Sequence, residues 1–77
     1  MIEQALEALE RNHWDKAHEI VQNMESVEAY WLHGILHRME GDLDNARYWY
    51  GRAGRPFSKT ADVADEIRAL KKQSQMD

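Results

Sequence analysis

His33 and His37 stand four residues apart, and Glu40 follows three residues later. On a helix this spacing lines up two imidazoles and a carboxylate on one face, a donor set able to hold a divalent metal ion. His13 and His18 are further imidazoles that could add ligands. The same residue types also suit plain packing, as semi-buried imidazoles hydrogen-bonded to backbone or to tyrosine hydroxyls, or as a joint that loosens on protonation near about pH 6. Packing is the expectation, and metal binding through His33, His37 and Glu40 is its alternative. A zinc-protease helix needs a glutamate directly after its first histidine, where this chain has Gly34, so hydrolysis is disfavoured.

Five large rings, Tyr30, Trp31, Tyr48, Trp49 and Tyr50, crowd into two short segments. Helical spacing separates Tyr50, which falls in line with Ala46 and Ala53, from Tyr48 and Trp49. At least one ring is therefore expected to face solvent, the last helix or another subunit, and Trp, Tyr and Arg together are the side chains that anchor protein interfaces. Arg47, Arg52, Arg55 and Lys59 lie beside these rings with no acid between residues 45 and 59. They could hold a phosphate or a single strand, but arginine stems laid over aromatic faces explain them without a ligand.

The remaining composition mostly excludes. The 77-residue chain has no cysteine, which removes disulfides, thiolate metal sites and cysteine nucleophiles together. No Gly-rich phosphate loop, serine nucleophile motif or carboxylate pair with a positioned base is present. No enzyme activity and no cofactor are expected. The net charge of −4 disfavours nucleic acid, and no apolar run approaches the roughly 20 residues of a membrane span. Acids at Glu3, Glu7 and Glu10 stand where a signal peptide carries basic residues, so a cytoplasmic location is expected. Seven acids against two bases in residues 1–30, opposite the basic segment 45–59, suit self-association as a homodimer or head to tail.

These residues must be positioned by helices. Ile2, Ala5, Leu6 and Leu9 recur at helical spacing up to an end at Asn12, which can also cap the next helix, where Trp14, Ala17, Val21 and Met24 recur on one face. Ser26 is expected to cap a third helix that runs through Tyr30, Gly34 and Ile35 to Glu40 and stops at Gly41. Asp42 caps a fourth helix through Leu43, Ala46, Tyr50 and Ala53, closed by Gly54 and Pro56. Thr60 is expected to cap a fifth, whose Val63, Ile67 and Leu70 form a single stripe in need of a groove. The segments Asn12–Ala17 and Gly41–Ala46 echo each other at an offset of 29 residues, turn, anchor, acid and alanine in the same order. The chain thus reads as one all-α domain over 1–77: a truncated first hairpin (1–25), a full hairpin (26–56) and a capping helix (58–76).

Residues 27–56 resemble a tetratricopeptide repeat: Tyr30 and Tyr50 stand for its two aromatics, Gly34 for the glycine of the helix crossing and Ala46 for the alanine at closest approach. The run from Tyr30 to Phe57 is also similar to small bacterial tetratricopeptide-like proteins without assigned activity. The resemblance implies a non-catalytic scaffold for protein binding or self-assembly. It places Trp31, Ile35, Arg38 and Met39 on the inner, ligand-facing side, with Tyr48 and Trp49 as a second patch or dimer surface. Residues 60–75 could fill that inner side themselves. His33 and His37 depart from the repeat pattern, and a single full repeat needs capping or oligomerisation to stand alone.

Overall fold

The computed structural model describes residues 1–75. Met76, the end of the expected capping segment, lies outside them with Asp77. Five helices make up the described chain: α1 (Ile2–Glu10), α2 (Trp14–Gln22), α3 (Val27–Met39), α4 (Leu43–Ala53) and α5 (Val63–Ser74). Three-residue connections fold α1 against α2 and α3 against α4, so the two helix pairs have the arrangement of helical hairpins. α3 lies at the centre, touched by α2, α4 and α5, while α5 also reaches α1.

The echo in the sequence is a repeated turn. Asn12 and Gly41 both have left-handed backbone, with φ of 63° and 87°. That conformation lets the following N–H reach back five residues, from His13 to the Ala8 carbonyl at 2.8 Å and from Asp42 to the His37 carbonyl at 2.9 Å. Gly54 closes α4 in the same way, its φ of 69° bringing the Arg55 N–H to the Tyr50 carbonyl at 3.0 Å.

Two expected caps are corrected. Asn12 ends α1 as expected, but it does not also cap α2, whose N-cap is His13 without a side-chain cap bond. Asparagine tolerates left-handed backbone, and a three-residue connection uses it there. Asp62, not Thr60, caps α5, accepting from the N–H groups of Ala64 at 2.8 Å and Asp65 at 3.3 Å. The Thr60 hydroxyl pairs with Ser58 instead, at 3.1 Å. Ser26 and Asp42 cap α3 and α4 as expected, accepting from Ala29 and Asn45.

α3 is buried on nearly every side from Trp31 to Arg38, which is why its apolar residues show no single stripe. Gly34 is required at its crossing with α4. A Cβ there would sit 2.5 Å from Tyr50 Cδ1 and 3.2 Å from the Ala46 carbonyl, so any side chain would force the helices apart. Ala46 and Tyr50 are fully covered at this crossing, and Ala5, Leu6, Ala17 and Val21 extend the core into the first pair. The stripe of α5 finds its groove: Leu70 is fully buried, with Val63 and Ile67 packed against the same core.

Candidate functional site

Two opposite faces of α3 carry polar clusters, and a ring-rich ridge runs across α4. The first cluster is built by helical spacing plus one crossing. The i, i+4 pair His33 and His37 project from α3 toward α2, which presents His18 between them. One ring nitrogen from each of the three lies within 4.8 Å of the others. His33 and His37 stack at 5.0 Å, and His18 meets them edge-on at 4.7 and 5.2 Å.

Two indoles wall this cluster. Trp14 stacks on His18 at 5.0 Å and 7°, fixed by donation from its Nε1 to the Leu36 carbonyl at 2.8 Å. Trp49 stacks on His33 at 3.9 Å and 11°. His33 is 4% exposed, and its Nδ1 is buried without a hydrogen-bond partner. His37 Nδ1 is paired with Glu40 Oε2 at 2.5 Å. Burial, then the neighbouring His18 and His37, push the His33 imidazole down to about pKa 4, so it is neutral at physiological pH. Burial and His37 also lower His18, partly opposed by the carboxylates of Glu40 and Asp15. A second group, His37, Glu40 and Asp42, also brings ligand atoms within 4.8 Å of each other, but its two acids are exposed and His37 Nδ1 is already committed to Glu40.

The second cluster faces α5 and centres on Glu66. Its Oε1 accepts from the Tyr50 hydroxyl at 2.7 Å and from Trp31 Nε1 at 3.3 Å, and its Oε2 accepts from Arg38 Nη1 at 3.1 Å. Arg38 also donates to the Tyr50 oxygen at 3.3 Å and lies 4.7 Å over the Phe57 ring. Burial, reinforced by Glu66, raises the Tyr50 phenol far above its ordinary value, leaving it a donor at any physiological pH. Arg55 covers the Trp31 ring at 3.7 Å. This arrangement bonds α5 into the groove of the second helix pair.

The ridge is formed by Tyr30, Tyr48, Trp49 and Arg52. Tyr30 and Trp49 approach at 5.7 Å and Tyr48 meets Trp49 edge-on at 5.0 Å. The exposed Arg52 guanidinium lies 4.5 Å over Tyr30 and 5.5 Å over Trp49, donating to the hydroxyls of Tyr48 and Tyr30 at 3.4 and 3.3 Å. Tyr48 is 56% exposed.

These placements sort the expected residues. Trp31, Ile35 and Arg38 are buried, with Trp31 and Arg38 bonded to Glu66 of α5, so only Met39 of the inner set faces solvent. An external partner reaches the first three only by displacing α5. Tyr48 is open and Trp49 half-covered, as an accessible patch requires. His33 and His37 do come together, but neither bonds to a tyrosine or the backbone as expected of packing imidazoles. Indole stacking takes that place for His33 and Glu40 for His37. Glu40 is accordingly a hydrogen-bond partner of a ligand candidate instead of a member of the closest imidazole group. Glu66 was not foreseen, since an acid in the first turn of a helix already has a sufficient reason in the helix dipole. No family model, curated protein or solved structure matches this chain.

Proposed function

We propose that this chain is a non-catalytic protein-interaction or self-assembly module that binds through the Tyr30, Tyr48, Trp49 and Arg52 ridge. The observation that carries this reading is the composition and exposure of the ridge. Three rings and a guanidinium form one connected surface, with Tyr48 more than half exposed. Tyr and Trp combine large contact area with few rotatable bonds, and together with Arg they dominate measured hot spots. Arg52 keeps N–H groups free for a carboxylate or carbonyl of a partner. The acidic first 30 residues of a second copy offer such groups, which supports self-assembly as one form of the activity. The inner groove, filled by α5, serves as internal bracing in this reading.

The test is sedimentation velocity over a wide concentration range, coupled to capture of lysate proteins on immobilised chain. Tyr48→Ala combined with Arg52→Ala is expected to abolish association or capture while the circular dichroism spectrum stays unchanged. Unaltered association by the folded double variant would remove the ridge as the binding surface.

A further inference from the structure

We propose that His18, His33 and His37 bind one divalent transition-metal ion of the zinc class, at a site that shares only the Trp49 ring with the ridge. The three imidazoles come from two helices, and their closest nitrogens lie within 4.8 Å of one another. An ion with bonds of about 2.0–2.1 Å needs ligand nitrogens roughly 3.3 Å apart, so small ring rotations bring the trio into range. Two such rings come from one helix at i, i+4, where the backbone fixes their separation.

Four features separate this cluster from ordinary packing. His33 Nδ1 is buried with nothing to bond, in a residue only 4% exposed, whereas packed imidazoles satisfy their nitrogens. Glu40 takes the Nδ1 proton of His37 at 2.5 Å, which commits the Nε2 lone pair of that ring and aims it as carboxylate–histidine–metal groupings do. Trp14 and Trp49 clamp His18 and His33 by stacking, so the rings are held in place by something other than hydrogen bonds. Finally, the Glu40 carboxylate, 2.5 Å from His37 Nδ1, stands beside the trio and would offset part of an ion's charge. Three imidazoles without a thiolate favour zinc, nickel or copper over magnesium or calcium. Three protein ligands also leave a position for water or a fourth donor.

The test uses untagged, chelator-stripped full chain, titrated calorimetrically with zinc sulfate, nickel chloride and magnesium chloride near neutral pH. One zinc per chain with a dissociation constant in the micromolar range or tighter is expected, nickel likewise, and magnesium without heat. Tryptophan fluorescence is expected to change and to saturate at one equivalent, since both indoles touch ligand rings. His18→Gln, at a half-buried position, is expected to weaken zinc at least tenfold with the helical signal retained. Glu40→Gln, at the solvent-facing end of α3, is expected to weaken it about 10–100-fold. His13→Gln is expected to change nothing. Absence of stoichiometric zinc heat in the wild-type chain would overturn the proposal. So would zinc affinity that survives His18→Gln or is lost with His13→Gln.

Discussion

The two polar clusters on α3 invite comparison because they share a helix and burial but not satisfaction. Facing α5, Glu66 accepts from Tyr50, Trp31 and Arg38, so opposite charges and donors meet within one buried knot. Facing α2, three imidazoles meet one another, and although Glu40 pairs with His37, His33 Nδ1 has no partner. Removing a polar group from water is offset only when its bonds are replaced. The Glu66 side is therefore a lock, complete in itself apart from Arg38 Nη2, whose guanidinium rests over Phe57. The histidine side is held by stacking on two indoles and leaves one buried ring nitrogen unbonded.

The largest expected effect breaks the lock. Glu66→Ala strips the carboxylate from the buried Arg38 and leaves the donors of Tyr50 and Trp31 unmatched. A loss of about 3–5 kcal/mol is expected by urea denaturation, with α5 released from its groove. Gly34→Ala follows. Its new Cβ would meet the Tyr50 ring and the Ala46 carbonyl, pushing α4 outward at a cost of about 1–3 kcal/mol.

The histidine side is expected to respond in the opposite sense. His33→Phe keeps the stack on Trp49 and removes the unpartnered nitrogen. In chelated buffer it is expected to be neutral or to stabilise by up to about 1 kcal/mol, where the corresponding change on the lock would destabilise. The same cluster sets a pH dependence. With the folded His33 held down to about 4 and His18 also lowered, the unfolded chain binds more protons as pH falls below the ordinary value of 6.5. Stability from these groups is full above that value and is lost as pH falls from 6.5 toward 4. Thermal midpoints recorded across that window are expected to fall in the wild-type chain and to fall less in His33→Phe. The smallest effect belongs to the ridge. Arg52→Ala removes a solvent-exposed guanidinium from ring faces and is expected to leave the thermal midpoint essentially unchanged, so that any loss of association it produces reports on binding.

How far the sequence reveals each region follows from the range of the interactions. The Gly34–Ala46–Tyr50 crossing is legible through the repeat signature that these three residues resemble. The paired turns are legible because Asn12 and Gly41 sit at matching places, although asparagine suits both a helix end and an N-cap and here serves only the first. The occupied groove follows from a one-sided stripe on residues 63–70. What holds it does not, since Arg38 and Glu66 are 28 residues apart and neither announces the other. The pairing of His33 and His37 is written in their spacing. His18 joins them only through the packing of α2 on α3, and Glu40 shares their helical face without joining their imidazole group.

Thermal unfolding of the wild-type and His33→Phe chains, each with chelator and with a modest excess of zinc, tests the contrast between lock and donor set most directly. Binding at 100 times the dissociation constant adds about 2.7 kcal/mol of stability, equivalent to a rise of roughly 10 °C or more for a domain of this size. A rise of that order in the wild-type chain, absent in His33→Phe, is the expected result. An unchanged wild-type midpoint, or an equal rise in both chains, would contradict it.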